Sequence, residues 1–244
     1  MSEPGSLVRA LSGRQVARNF HSYVISEVGI GIASGRLAVG AILPNDAEMM
    51  DRYNVSRTVL REALKTLEAK GLVEARAKVG TRVLPRNRWN LYDRQVLGWI
   101  QEAGPEPAFL QAFVELREMI EMQTARLAAQ RRSAEQLRML LYWLQQRSMT
   151  AALVEPFALA EFEFHRILCE ASQNPFLRAA QALVEFGVVQ AIAPQIRAGV
   201  VDFAGEKAAL YQALADAVAQ GAVEAAGVAM GAILAADRVW ILGA

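Results

Sequence analysis

Residues Val55-Ser-Arg-Thr-Val-Leu-Arg-Glu-Ala-Leu-Lys-Thr-Leu-Glu-Ala-Lys-Gly71 decide how this chain is read. Val59, Leu60, Ala63, Leu64 and Leu67 recur at helical spacing. Ser56 can accept a hydrogen bond from the orphan N–H groups of the first turn, and Gly71 can take the left-handed conformation that closes a helix. The polar residues Ser56, Arg57, Thr58 and Arg61 gather at the N-terminal end of this predicted helix. Helix N–H groups and guanidinium forks there favour phosphate oxygens, and an arginine can read guanine through two parallel hydrogen bonds. The same residues would also make an ordinary solvated, basic helix end, and the stretch alone favours neither reading.

The flanking residues tilt the balance. Residues 1–11 read as a mobile arm, and Ser12 with Gln15 has the spacing of a capping box opening a first helix. Val16, Phe20, Tyr23, Val24, Val28 and Ile32 form its apolar face. Gly35 and Gly40 bracket a turn, Ala41-Ile-Leu43 reads as a short strand, and Asn45 to Glu48 is a second capping arrangement for a brief helix to about Tyr53. With Asn54 as a left-handed turn residue, two helices follow one another at helix-turn-helix spacing. After Gly71 the period changes. Leu72-Val73 and Thr81 to Leu84 read as two strands joined by the basic hairpin Arg76-Ala-Lys-Val-Gly-Thr-Arg82. In such a wing, Lys78 and the N–H groups near Thr81 lie within reach of DNA phosphates, a contact that adds salt-dependent affinity; the alternative is a plain basic hairpin.

Composition agrees with two domains. The 244 residues are 53% hydrophobic and 21% charged, enough apolar side chain to bury a core and to exclude disorder. Residues 1–86 carry 13 Lys+Arg against 8 Asp+Glu, and residues 87–244 carry 13 against 17, so a basic front half is joined to an acidic rear half. Only the front half suits a polyanion. One cysteine, Cys169, excludes an internal disulfide and suits a reducing cytoplasm. No apolar block opens the chain, and the uncharged run Ala225 to Ala236 is shorter than the roughly 20 residues that span a bilayer, so the expected location is the cytoplasm without membrane attachment.

Gly40-Ala-Ile-Leu-Pro-Asn-Asp46, Val55-Ser-Arg-Thr58, Leu60-Arg-Glu-Ala-Leu64 and Lys70-Gly-Leu72 together resemble the winged helix of the GntR superfamily of bacterial transcription regulators, over residues 12–84. The resemblance implies that Arg57, Thr58, Arg61 and the wing glycine Gly80 contact operator DNA. Ala47 stands where many relatives carry an arginine that also reaches the DNA, which implies altered base readout. Pro85 ends the second strand and opens a linker, residues 85–92, that Trp89, Leu91, Val96, Leu97 and Trp99 give apolar surface for docking. This segment is similar to the linker of sugar-acid regulators in the same family, those of galactonate catabolism in particular.

From about Asp93 no strand is apparent. Helices are predicted from Asp93 to the break at Pro105 and Pro107, from Phe109 to about Arg132, and from a cap at Ser133 through Leu144. Others follow over Phe157–Ala171, Pro175–Ala193, Glu206–Gln220 and Val223–Leu242. Residues 93–244 resemble the FCD-type ligand domain of the FadR subfamily, six or seven helices around an effector cavity that often holds a divalent metal. In the pattern of that family, Glu161 and His165 match an i, i+4 ligand pair on one helix face, whereas Lys207 and Ile233 stand where two further histidines belong. The implied site is degenerate, with no cofactor expected and the Lys207 ammonium in the metal's place; a surface Lys207 and a packed core His165 are the alternative. Arg117 matches an arginine that binds the effector carboxylate, or makes a structural salt bridge to Glu121 or Glu118. Asn174, in Gln173-Asn-Pro175, follows a family effector motif, though a helix-terminating role explains it.

The fold class that emerges is mainly α, a winged helix-turn-helix followed by a helical bundle. The implied function is an effector-controlled homodimer that binds double-stranded operator DNA as a repressor, with a sugar acid such as galactonate or a 2-keto-3-deoxy sugar acid as effector. A metal-dependent enzyme built on Glu161 and His165 is the second reading, weakened because two ligands cannot make a catalytic centre and no nucleophile motif, phosphate loop or dinucleotide fingerprint is present. Nonspecific DNA packaging is the third, and it needs no sensor domain.

Overall fold

The computed structural model describes residues 5–11 and 20–243, so the Ser12–Gln15 capping box and Val16 lie outside the described residues. Among those described, residues 20–105 form one unit, and residues 5–11 join 106–243 in the other.

The first element among the described residues is a helix, α1 (Ser6–Ala10), within the stretch 1–11 where the sequence suggested a mobile arm. Leu7 and Val8 are buried, and their N–H groups donate to Glu185 Oε1 at 2.7 and 3.4 Å. A carboxylate receiving the orphan donors of a first turn explains why so short a helix is held.

In the first unit, α2 (Phe20–Ala33) buries Val24, Val28 and Ile32, with Ile25 beside them, while Phe20 is 67% exposed. Asn45 caps α3 (Asp46–Tyr53) by accepting from the Glu48 N–H, and Asn54 (φ 50) ends it in the left-handed region. Next comes α4 (Arg57–Ala69), with Ser56 as cap and Leu60, Ala63 and Leu67 buried. The wing is β1 (Val73–Arg76) paired antiparallel with β2 (Gly80–Val83) in register Val73↔Val83 to Arg76↔Gly80. The strand expected at Ala41–Leu43 is reduced to an Ile42↔Arg82 bridge flanked by Leu43 N–H to Thr81 O and Val83 N–H to Ala41 O. Gly71 (φ 77) turns the chain out of α4, and a Cβ there would meet the Arg88 carbonyl oxygen at 2.1 Å.

The linker is ordered. Trp89 is buried and donates its indole N–H to Leu84 O at 3.0 Å. Asp93 both caps α5 (Arg94–Ala103) and pairs with Lys70 at 2.5 Å. Trp99 of α5 lies on Gly29 of α2 so closely that a Cβ at Gly29 would fall 2.4 Å from Trp99 Cδ2. That contact places α5 with the winged helix, so the boundary expected at Asp93 moves past this helix.

The second unit is helical: α6 (Pro107–Arg131), α7 (Ala134–Met149), α8 (Val154–Ala171), α9 (Pro175–Ala179), α10 (Gln181–Arg197), α11 (Ala208–Gln220) and α12 (Val223–Leu242). Ser133 and Gln136 form a full capping box before α7. The single helix expected over Pro175–Ala193 is two, parted at Ala180, whose ψ of 5° leaves the helical range. Phe164, Leu168, Tyr211, Leu214, Ile233 and Leu234 pack in one core. Cys169 is buried, and burial pushes its thiol well up, so it is an inert core residue. By length and composition α12 could cross a membrane, with a mean hydropathy of 1.6, but it packs along α6 and α11 and buries a charge, Asp237.

Candidate functional site

The first candidate surface is the N-terminal end of α4 with the wing. The Ser56 hydroxyl accepts the Val59 N–H at 3.4 Å, which fixes the first turn, and Ser56, Arg57, Thr58 and Arg61 are exposed there. Arg57 and Lys78 form no ion pair with a described residue, and Lys78 sits at the hairpin tip with φ 63. Arg61 lies 3.8 Å from Asp46 Oδ2, an exposed pair that water and salt weaken. Arg61 and Thr81 line a shared groove with Leu64, Lys65, Val73 and Ala75, bringing α4 against the wing. Gly80 is exposed in the wing, where a Cβ would press on Ile42 Cγ2 at 3.1 Å. Ala47 is exposed beside Ser56 in a second, shallow depression, so the position that would carry a long basic side chain presents only a methyl group.

The second candidate lies inside the helical unit. Arg117, Glu121, Arg147, Glu161, His165, Lys207 and Asp237 are all buried. Arg117 on α6 donates from Nε to Glu121 at 2.5 Å and from Nη1 to Asp237 Oδ2 at 2.9 Å. Lys207 donates to Asp237 Oδ1 at 2.7 Å and to Glu161 Oε1 at 3.1 Å, and Arg147 Nε reaches Glu161 Oε2 at 3.0 Å. One continuous chain of ion pairs thus joins α6, α12, α8 and α7. Three cationic side chains face three carboxyl groups within the cluster.

His165 completes the cluster. Its Nδ1 is 2.7 Å from Glu121 Oε2 and its Nε2 is 2.9 Å from the Tyr211 hydroxyl. A bare Nδ1 so close to a carboxylate would set lone pair against lone pair. The ring therefore carries a proton on Nδ1, and Nε2 shares a hydrogen bond with the Tyr211 hydroxyl. The Arg147 guanidinium lies 3.8 Å over the Tyr211 ring, a stacking that suits a weakly hydrated cation.

The charged forms are held strongly. Burial works to raise the Glu161 carboxyl, but Lys207, Arg147 and His165 overcome it and bring it down to about 2. Burial likewise opposes ionisation of Glu121, and Arg117 and His165 bring it to about 2. Burial disfavours the Lys207 and Arg117 cations, yet Asp237 and Glu161 raise the first, and Glu121 and Asp237 the second. Arg117, Lys207, Glu121 and Glu161 are thereby held in their charged forms. Two donors remain over, because Arg117 Nη2 and Arg147 Nη2 are buried without a partner. Gly187 of α10 makes room for this arrangement, since a Cβ there would sit 2.6 Å from Arg117 Nε.

The structure brings together Arg117, Glu161, His165 and Lys207. It leaves out Asn174, which lies beyond the C-terminal end of α8 and uses its Oδ1 to accept the Phe176 N–H at 2.9 Å as the cap of α9. Ile233 is fully buried in the apolar core. Glu118, the other partner considered for Arg117, pairs with Arg238. The residues do not fit a divalent metal: both Glu161 oxygens accept from cations, both His165 nitrogens are engaged, and Ile233 offers no donor. Among the described residues no group of three or more His, Cys, Asp or Glu is disposed to hold a metal ion.

Sequence reasoning missed Arg147, Tyr211 and Asp237, and weighed Glu121 only as a salt-bridge partner. Two signals were present. Asp237 follows the apolar run Ala225 to Ala236 on the same helix, and Arg147 shares the buried face of Leu140 and Leu144 on α7. Tyr211 carries no such signal.

Comparison with known proteins agrees with both halves. Residues 22–83 match the model described as bacterial regulatory proteins, gntR family, and residues 112–236 match the FCD domain. The chain is 34% identical over 231 residues to the HTH-type transcriptional regulator YieP of Escherichia coli (strain K12), covering 92% of this chain and 97% of that protein. It is 31% identical over 155 residues to the galactonate operon transcriptional repressor of the same organism, covering 64% of this chain and 68% of the repressor. A solved structure of Lar, a protein that controls the Listeria monocytogenes agr system, is 19% identical and spans 93% of this chain and 98% of its own with a TM-score of 0.62, a likeness of fold. On the strength of the matched domains and of a relative similar along nearly its whole length, the chain belongs to the gntR family of bacterial regulatory proteins and is a transcriptional regulator with a C-terminal FCD domain.

Proposed function

We propose that this regulator is a cytoplasmic homodimeric repressor of sugar-acid catabolism, released from its operator by a small sugar acid bound in the helical unit. The observation that carries the effector reading is the pair of buried guanidinium groups, Arg117 and Arg147, each with Nη2 unpartnered. A buried donor without a partner costs about 1–3 kcal/mol, and a carboxylate is the acceptor that best fits a guanidinium edge. Arg117, Lys207, Glu161 and His165 stand around the bound acid in this reading, the cations toward its carboxylate and the Glu161 and His165 side chains toward its hydroxyl groups. Asn174 has no part in it.

At the other end, Arg57, Thr58 and Arg61 read the major groove, Ser56 holds the turn that presents them, and Lys78 with the Gly80–Thr81 backbone lies along adjacent phosphates. Two copies related by a twofold axis match an approximately palindromic site. The named relatives supply the choice of effector: one represses a galactonate operon, so galactonate and 2-keto-3-deoxy sugar acids head the panel. Fluorescence anisotropy on DNA from upstream of the protein's own gene, at fixed salt with each sugar acid, tests the proposal. Tight binding that one acid weakens about tenfold, which is about 1.4 kcal/mol of coupling, is the expected result. Tight binding unmoved by any acid removes the effector, and no preference over random DNA removes the operator.

A further inference from the structure

We infer that the buried site of this regulator works without a divalent metal, because Lys207 and Arg147 bring to Glu161 the two positive charges that such an ion would supply. The inference deepens the effector reading by naming what holds the anion. Glu161 divides its oxygens between the two cations, Oε1 to Lys207 Nζ at 3.1 Å and Oε2 to Arg147 Nε at 3.0 Å. Lys207 is fixed from the far side by Asp237 Oδ1 at 2.7 Å, and Arg147 by the Tyr211 ring 3.8 Å beneath its guanidinium. Neither cation is a dangling surface group; Lys207 is 7% exposed and Arg147 1%.

A metal entering beside Glu161 would meet both positive charges in a medium that screens them poorly, on a carboxylate whose two oxygens each already accept from a cation. Its other ligands are gone as well, since His165 spends Nδ1 on Glu121 and Nε2 on Tyr211, and Ile233 is hydrocarbon. The chemistry of recognition changes accordingly. A metal binds an acid by accepting lone pairs in a chelate, whereas Lys and Arg recognise it only by donating N–H bonds to a negative oxygen. The effector is therefore an anion read by hydrogen bonds, and its action is indifferent to chelators.

Protein produced in medium supplemented with zinc, nickel and manganese, dialysed without chelator and analysed for metal by mass spectrometry, tests this directly, with thermal unfolding followed alongside in EDTA or in each metal. Sub-stoichiometric metal and a midpoint that neither EDTA nor metal moves is the expected result. One retained equivalent per chain, or a midpoint raised by metal and lowered again by EDTA, overturns the inference. The triple variant Lys207→His, Ile233→His and Arg147→Met, which removes both cations from Glu161, is expected to take up one equivalent and to melt at higher temperature when loaded, as any ligand of the folded state requires. A triple variant that keeps its helical circular dichroism yet stays metal-free would also overturn it, since exclusion would then lie elsewhere. Metal content is read without DNA or sugar acid, so an inactive effector panel and a metal-loaded protein are separate failures.

Discussion

Arg57 and Arg117 carry the same side chain under opposite conditions. Arg57 stands exposed on the first turn of α4 with no acidic partner among the described residues, whereas Arg117 lies at 2% exposure between Glu121 and Asp237. A solvated guanidinium is held in place by little and is available to a phosphate or a base; a buried one exists only because its counter-charges are fixed around it. Position along an element decides which kind of arginine results. Arg57 follows a cap, where the apolar face of the helix has not begun, and Arg117 sits within the buried face that includes Phe113, Val114 and Glu121.

The contrast breaks hardest at Glu161. Glu161→Ala leaves Arg147 without its carboxylate and Lys207 with only Asp237, and loss of one partner from a buried pair costs about 3–5 kcal/mol, so urea unfolding of the helical unit should shift by that order. Acid does the same more gradually. Glu121 and Glu161 have folded-state values near 2, below the ordinary 4.5, so their contribution is complete above about pH 4.5 and is lost as pH falls through about 2. Unfolding midpoints measured down this range should drop for the parent and drop less for Glu161→Gln, which has already lost one titrating group; equal slopes would break the assignment.

A smaller effect is expected at Gly187. Gly187→Ala drives a Cβ to 2.6 Å from Arg117 Nε, and overpacking of this kind costs about 1–3 kcal/mol, although alanine is the better helix former. A stabilised variant would mean that Arg117 has room to move. On the exposed side, Arg57→Ala should leave the unfolding midpoint within about 0.5 kcal/mol of the parent. Its operator binding should weaken by about 1–3 kcal/mol, which an anisotropy titration reads directly. Loss of stability at Arg57 without loss of DNA affinity would reverse the roles drawn for the two arginines.

The two regions also differ in how far the sequence reveals them. Ser56, the apolar spacing of Leu60, Ala63 and Leu67, and Gly71 all act within one helix, and so the recognition element is read from seventeen consecutive residues. The buried cluster is assembled from partners far apart in the chain. Arg117 and Asp237 are 120 residues apart, and Lys207 and Glu161 are 46. No local pattern announces such pairs; the resemblance to FCD domains pointed to Lys207, Glu161, His165 and Arg117 because it carries three-dimensional information from elsewhere. The helix at Ser6–Ala10, within the arm expected over residues 1–11, and the place of α5 with the winged helix escaped for the same reason, since Glu185 and Gly29, which hold α1 and α5, lie 178 and dozens of residues away respectively.

The bond from Leu7 to Glu185 also sets an order of events as the chain is made. Leu7 is synthesised 178 residues before its partner. During that interval the winged helix, which lies within a compact unit of its own, has its full sequence and can fold. Leu7 and Val8 must wait for Glu185 and then close a loop of that length, and such loops form slowly. An early stop before α10 would therefore spare the DNA-binding fold while leaving the first helix without its partner, so truncated chains would retain the means to occupy DNA but not the bundle that answers to a signal.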